Sequence, residues 1–117
     1  MTRAAELVLR ALDALKRRDW EAFEETLHEE VVHRTPGVPA PILGRAAFVQ
    51  MSREAVSRAP DVVFALDRLV GEGETVVAIG EWRYTGPEGL VHQPSVSVIQ
   101  LRDGLIWRDE EYLGLAF

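Results

Sequence analysis

The feature that most constrains the fold is a change in hydrophobic periodicity near residue 60. Before this point the apolar residues recur at intervals of three and four, as in amphipathic helices, and after it they alternate with polar residues, as in strands. Helices followed by a meander of strands predict a segregated α+β fold. The chain has 117 residues, the length of one ordinary domain. With no repeat or internal boundary in it, we expect a single domain over residues 1–117.

Three helices and one short strand are predicted in the first half. Residues 3–17 have a helical pattern, and Asp19 is a typical N-cap for a second helix. A short strand at 31–35 leads into a loop over 36–44 that is rich in proline and glycine. The third helix covers about 45–58 and ends before a proline.

Four strands are predicted in the second half, joined by short turns that contain glycine. They cover residues 62–70, 75–85, 90–101 and 105–113. The helices can cover only one face of an antiparallel sheet of this kind. We expect the three helices to close the curved inner face around a pocket, and a second copy of the chain to cover the outer face in a homodimer.

Composition and charge argue against several classes of function. The net charge is −6 and the basic residues are interspersed with acids, so there is no basic stripe for nucleic acid or for an anionic membrane. No run approaches the roughly 20 apolar residues of a membrane span, and the N-terminus lacks the apolar core of a signal peptide, so we expect a cytoplasmic protein. The chain has no cysteine, its three histidines lack metal-ligand spacing, and it has no phosphate-binding glycine motif. We therefore expect no metal and no cofactor.

Three groups of residues follow one another in an order typical of a known superfamily. The junction of the first two helices is at residues 14–23. The first strand, its loop and the start of the third helix are at 31–39 and 44–48, and the turn before the last strand is at 101–106. Together they resemble the nuclear-transport-factor-2-like superfamily, which includes ketosteroid isomerases, SnoaL-like polyketide cyclases and limonene epoxide hydrolases. The resemblance implies a cone-shaped sheet, a cystatin-like roll, with a pocket between its concave face and the helices. It implies little about activity, because this fold hosts many.

The residue set of the ketosteroid isomerases is not reproduced in this chain. The resemblance places Thr35 at the position of the catalytic aspartate base, Ala11 at the position of a tyrosine donor, and Ser97 at the position of a protonated aspartate. A threonine cannot abstract a carbon-bound proton without a base of its own, and alanine donates no hydrogen bond. Ketosteroid isomerase chemistry by the usual residues is therefore not expected.

The residue set of the limonene epoxide hydrolases is matched in altered form. The resemblance places Glu111 at the acid position of the last strand, and Glu81 and Arg83 near an arginine and an aspartate, with the signs exchanged. His33 and Thr35 fall near a tyrosine and an asparagine that hold water. An arginine between two carboxylates could keep one ionised while burial raises the pKa of the other. The resemblance thus implies a general acid/base cluster of Glu81, Arg83 and Glu111.

Period-two counting on the last strand places Trp107, Asp109 and Glu111 on one face. This face would present an aromatic wall and two acids to the pocket. The alternative is that both acids are solvated at the open end of the sheet, because charged residues are almost never buried without a partner.

The second strand of the meander has two possible orientations. Its charged face carries Glu81 and Arg83, and its other face carries Trp82 and Tyr84. Either the charges face the pocket, or the aromatic residues line it and the charges pair with each other outside.

Two hypotheses of function follow. The first is a cofactor-free enzyme of the SnoaL-like or limonene epoxide hydrolase-like kind, which acts on a small apolar molecule by hydration, isomerisation or cyclisation. Glu111 would be its main acid/base group, with Phe48 and Met51 of the third helix and Ser97 lining the pocket. The second hypothesis is a domain that binds a small hydrophobic ligand, or a dimeric interaction module, without turnover.

Overall fold

A six-stranded sheet with three helices on its concave side forms the domain. The computed structural model describes residues 2–117. The elements are α1 (Arg3–Arg17), α2 (Trp20–Glu25), β1 (Leu27–Arg34), β2 (Ile42–Leu43), α3 (Arg45–Arg58), β3 (Val63–Glu72), β4 (Thr75–Gly86), β5 (Gly89–Arg102) and β6 (Leu105–Leu113). The strand order is β2-β1-β6-β5-β4-β3. The curved α+β architecture predicted from the sequence is confirmed, and the predicted strands 62–113 form the expected meander.

One strand pair departs from the antiparallel pattern. β1 pairs in parallel with β6, while the other neighbouring strands are antiparallel. A parallel pair needs a long crossover connection, and here the whole of α3 and the meander provides it. The parallel pair brings the first strand of the chain beside the last one.

Local capping sets the path of the chain between α1 and α2. Thr2 accepts a hydrogen bond from the amide of Ala5 at 3.0 Å and so caps α1. Arg18 ends this helix in the left-handed conformation, and its guanidinium donates to the carbonyl of Val62 at 2.6 Å. Asp19 caps α2 through the amide of Ala22 at 3.1 Å, as the sequence predicts.

The core lies between the buried face of α1, the aromatic residues of α2 and α3, and the concave face of the sheet. Its fully or nearly fully buried members include Val8, Leu27, Val31 and Val76. Burial of side chains of this size stabilises the fold by about 1.5–3 kcal/mol each. Among residues 2–117, no helix is long and apolar enough to cross a membrane.

Two boundaries differ from the sequence-based prediction. β1 begins at Leu27, before the predicted strand at 31–35, because α2 ends at Glu25, where the hydroxyl of Thr26 donates to the carbonyl of Phe23 at 2.6 Å and the chain turns. The predicted loop over 36–44 contains the short strand β2, in which Leu43 pairs with Val32.

Gly80 allows β3 and β4 to approach closely where the sheet bends. A Cβ at this position would overlap the carbonyl oxygen of Ala65 and lie 2.9 Å from the ring of Phe64. Only glycine fits between these neighbours without a backbone shift. The close approach places the ring of Phe64 against Trp82, with centroids 4.9 Å apart.

Candidate functional site

A cavity of about 630 Å³ lies between the helices and the concave face of the sheet. This is the size of a site for a small organic molecule. Most of its wall is apolar and comes from α1, α3 and the inward face of the sheet. Representative lining residues are Val8, Leu12, Phe48, Met51, Ile99 and Ile106.

A polar cluster occupies one part of this apolar wall. His33 of β1 and Asp109 of β6 are partners in the parallel register, and their side chains meet inside the cavity. The Nδ1 atom of His33 lies 3.1 Å from Oδ2 of Asp109. The hydroxyl of Thr35 lies 3.3 Å from the other ring nitrogen, Nε2. His33 and Asp109 are largely buried, with 9% and 14% of their side chains exposed.

Glu111 completes the cluster, and two donors fix its orientation. The indole Nε1–H of Trp82 and the hydroxyl of Ser95 both donate to Oε2 of Glu111, each at 2.7 Å. The second oxygen, Oε1, lies 3.9 Å from Nε2 of His33. This distance is too long for a direct hydrogen bond. Both residues line the cavity, so a small bound molecule can contact the two side chains together.

The charged neighbours of His33 favour its protonated form. Burial alone lowers the pKa of His33, but the hydrogen bond to Asp109, the charge of that carboxylate and the charge of Glu111 outweigh burial. The pKa of His33 is therefore raised above its ordinary value. The ring of Phe48, 5.0 Å from the imidazole between centroids, shields the same group from solvent.

One acceptor in the cluster is buried without a partner. Oδ1 of Asp109 has no hydrogen-bond partner among residues 2–117. Buried carboxylate oxygens are almost always satisfied. The cluster thus contains one buried carboxylate oxygen that is not satisfied by the described part of the chain.

Glu81 and Arg83 do not join this cluster. They lie on the outer face of β4, where the guanidinium Nε–H of Arg83 donates to Oε1 of Glu81 at 2.7 Å. His92 of β5 contacts the same oxygen at 2.8 Å. Its hydrogen bond, and then that of Arg83, holds the pKa of Glu81 below its usual range. The predicted cluster of Glu81, Arg83 and Glu111 therefore does not form, and the alternative orientation, in which Trp82 and Tyr84 line the cavity, is the one observed.

Trp107 also lies outside the cavity. The β5–β6 register shifts by one residue between Gln100 and Leu101, so Trp107 is an extra residue in β6. The extra residue turns its ring away from the face that carries Asp109 and Glu111. The guanidinium of Arg108 packs over this ring at 3.8 Å. The prediction of a shared face for Trp107 and the two acids is wrong for this reason.

The other predicted lining residues are placed on the cavity wall. Thr35, Phe48, Met51 and Ser97 all line it, together with His33. His33, Asp109 and Glu111 also line it and lie in one cluster, although the contact between His33 and Asp109 was not among the predictions.

Ser95 and Arg58 are two further residues of interest that lie outside the predicted set of site residues. Ser95 shares a strand face with Ser97 and lies 2% exposed beneath Glu111. Arg58 lines the cavity from the last turn of α3. Within the described part of the chain, no group of three or more His, Cys, Asp or Glu side chains is arranged to hold a metal ion.

Comparison with protein families finds one match that spans most of the chain. The model of the SnoaL-like domain matches residues 8–109. No curated protein matches the sequence.

Solved structures with the same fold are numerous. A candidate ketosteroid isomerase from Kribbella flavida DSM 17836 superposes with a TM-score of 0.86 at 23% identity, covering 98% of this chain and 80% of that one. An NTF2-like protein of unknown function from Burkholderia pseudomallei K96243 gives 0.84 at 21% identity, covering 97% and 92%. TerC co-crystallised with polyporic acid gives 0.81 at 21% identity, covering 94% and 90%. At these identities the likeness establishes the fold alone.

Proposed function

Because the chain belongs to the SnoaL-like domain family, we propose that it is a cofactor-free enzyme that moves protons on a small, largely apolar carbonyl compound. The observation that carries this proposal is the pair of atoms Oε1 of Glu111 and Nε2 of His33, which lie 3.9 Å apart on two residues that line one largely apolar cavity. A base and an acid at this spacing can act on one substrate together.

Glu111 is the proposed base. Its Oε2 atom is occupied by Trp82 and Ser95, which leaves Oε1 to accept a proton from the carbon next to a carbonyl group. The two hydrogen bonds fix the carboxylate, so little reorganisation is needed when the substrate binds. The apolar wall excludes water from the reacting atoms.

His33 is the proposed acid, and Asp109 is its positioning residue. Asp109 accepts a hydrogen bond from Nδ1–H, which orients the ring and favours the imidazolium form. The Nε2–H group then donates to the carbonyl oxygen of the substrate. The α-carbon and the oxygen of a ketone are separated by one atom, so Glu111 and His33 can meet both at once.

The electron pair of the broken C–H bond forms a carbon–carbon double bond, and the π pair of the carbonyl group moves to its oxygen. Transfer of the Nε2 proton of His33 to that oxygen gives an enol. Return of a proton to another carbon gives an isomerisation. Attack of the enol carbon on a second carbonyl gives a ring closure. Neither outcome requires a redox partner, because only protons and electron pairs within the substrate change place.

Exchange of α-protons for deuterium tests the proposal without knowledge of the product. The probe is 4′-acetylbiphenyl-4-carboxamide in D₂O, with the loss of its methyl signal followed by NMR. The native chain should accelerate exchange, and Glu111→Gln should lower the catalysed rate by about 10²–10⁴-fold. Glu110→Gln is the matched control, since Glu110 is the exposed neighbour of Glu111. Its carboxylate accepts a hydrogen bond from the hydroxyl of Tyr112 at 3.1 Å. Native-like exchange in Glu111→Gln would contradict the assignment of the base.

A binding domain without turnover is the second candidate. It is supported by Ala11, which lines the cavity where the ketosteroid isomerases are expected to carry a tyrosine donor. Tight binding of the amide with no acceleration of exchange by the native chain would favour this candidate.

We also propose that the outer face of the sheet is covered by a second copy of the chain. Val77 pairs with Val98, and Ile79 pairs with Val96, so four β-branched side chains form an apolar centre on this face. Sedimentation equilibrium at micromolar concentration should give a homodimer, and Ile79→Lys should give a monomer with the cavity intact. A native monomer would count against this arrangement.

A further inference from the structure

Arg58 is the one arginine or lysine that lines the cavity, among the residues the structure describes. It is exposed and lies in the last turn of α3, and this solvent-exposed part of the wall is the mouth of the cavity. The carboxylates near it along the chain have other partners. Glu54 accepts from Gln50 at 3.1 Å, and Asp61 accepts from both the amide and the hydroxyl of Thr85.

Arg58 also lies far along α3 from the level of the proposed acid/base cluster. Phe48, on the same helix, contacts His33, and Arg58 is ten residues further along. A helix rises 1.5 Å per residue, so the two levels are about 15 Å apart along its axis. The two ends of the cavity therefore differ in charge, with the cluster of His33, Asp109 and Glu111 at one end and the guanidinium group of Arg58 at the other.

The charges at the two ends have opposite effects on an anion. Asp109 and Glu111 carry two negative charges as carboxylates, against one positive charge on protonated His33, so the inner end is net negative. The whole chain is also acidic, with a net charge of −6. An anionic group is therefore repelled from the inner end and attracted only at the mouth.

We propose that the substrate is an acid whose carboxylate binds Arg58 at the mouth while its uncharged carbonyl end reaches the cluster of His33 and Glu111. This inference rests on the proposed function, because it takes the inner end as the reacting end. Arg58 is then a specificity-determining residue. An arginine binds a carboxylate through two parallel N–H groups, which fixes orientation as well as charge.

A purely structural role for Arg58 makes a different prediction. A cation in the last turn of a helix interacts favourably with the helix dipole. Loss of that interaction would lower stability but would not change the preference between an acidic and a neutral ligand.

Matched pairs of probes separate the two roles. We would use 4-acetylbenzoic acid and 4′-acetylbiphenyl-4-carboxylic acid, each beside its primary amide, and measure dissociation constants by calorimetry. For at least one pair, the native chain should bind the acid about three- to tenfold more tightly than the amide. The preference should shrink as salt is added, because the pair is open to solvent.

Substitutions then locate the preference. Arg58→Gln should abolish it, and Arg58→Lys should retain part of it. The control is Arg53→Gln, which removes the same charge from the same helix at an exposed position where the guanidinium packs over Trp20. The control should keep the native preference.

The inference is overturned if no acid binds the native chain more tightly than its amide, or if Arg58→Gln and Arg53→Gln reduce the preference equally. Failure of the proposed function gives another result. In that case the acid preference and its loss in Arg58→Gln persist, but no probe exchanges its α-protons faster than in solvent.

Discussion

Removal of the Ser95 hydroxyl tests how Glu111, the proposed base, is held in place. Ser95→Ala deletes one oxygen atom from a side chain that is 2% exposed and donates to Oε2 of Glu111 at 2.7 Å. A hydrogen bond to a charged group contributes about 1.5–3 kcal/mol. Oε2 keeps its second donor, Trp82, so the acceptor is not orphaned. We therefore expect the free energy of unfolding to fall by about 1–2 kcal/mol.

The matched control is Ser97→Ala, two residues along the same strand face. Ser97 lies directly opposite Glu111 in the sheet register, yet the hydroxyl that reaches the carboxylate is that of Ser95. Urea unfolding, followed by tryptophan fluorescence at one fixed protein concentration, gives both values. Ser97→Ala should cost less than about 0.5 kcal/mol.

A double-mutant cycle with Glu111→Ala isolates the contact. The cost of Ser95→Ala should largely disappear when the carboxylate is absent, which corresponds to a coupling energy of about 1–2 kcal/mol. Equal costs for the two serine variants, or a coupling near zero, would refute the view that Ser95 fixes Glu111.

Three further predictions concern His33 and Gly80. Asp109→Asn should lower the pKa of His33, because burial remains while the hydrogen bond and charge of the carboxylate are lost. The control, Glu110→Gln, should leave the pKa of His33 unchanged. NMR titration of the imidazole measures both values, and equal effects of the two substitutions would contradict the assigned contact. Since the pKa of His33 is raised on folding, its protonation stabilises the fold fully below about pH 6.5, and this stability should be lost as the pH rises through the raised folded value. Unfolding measured against pH should show this loss in the native chain but not in His33→Gln. Gly80→Ala should lower the free energy of unfolding by about 3 kcal/mol or prevent folding, because the new Cβ would overlap a carbonyl oxygen of β3. The control, Gly71→Ala, has no contact closer than 3.5 Å and should lower it by less than about 1 kcal/mol. Thermal unfolding measures both variants.

The helices and the meander could be predicted because hydrophobic period is a local property of the chain. The last strand was predicted over 105–113 and is observed as Leu105–Leu113, since its alternation is bounded by a glycine turn. α3 was predicted at about 45–58 and has these bounds, between a glycine and a proline. The short strand β2 could not be predicted, because two residues show no period and depend on pairing with Val32.

The orientation of β4 could not be decided from its own residues. Period two divides the strand into a charged set, Glu81 and Arg83, and an aromatic set, Trp82 and Tyr84, but does not say which set faces inward. The decision depends on contacts with other strands. On the inner face, the indole N–H of Trp82 donates a hydrogen bond to Glu111 of β6. On the outer face, Glu81 forms a hydrogen bond with His92 of β5.

The position of Trp107 was predicted wrongly because one extra residue in β6 interrupts the period-two alternation of the strand. Its separation of four from Glu111 assigns both to one face only if β6 is regular throughout. The extra residue in the β5–β6 register reverses that assignment between Trp107 and Asp109. The pair of His33 and Asp109 is likewise a product of the parallel register, which no local pattern encodes.

The parallel pairing of β1 with β6 also decides when the site can exist. His33 and Asp109 are 76 positions apart, and β6 is synthesised after every other element of the domain. Contacts between such distant segments form slowly, because the chain between them must be ordered first. A nascent chain therefore carries His33 but neither Asp109 nor Glu111 until β6 leaves the ribosome. In a refolding experiment, the return of the proposed proton exchange would report when the sheet closes, and not the earlier formation of the helices.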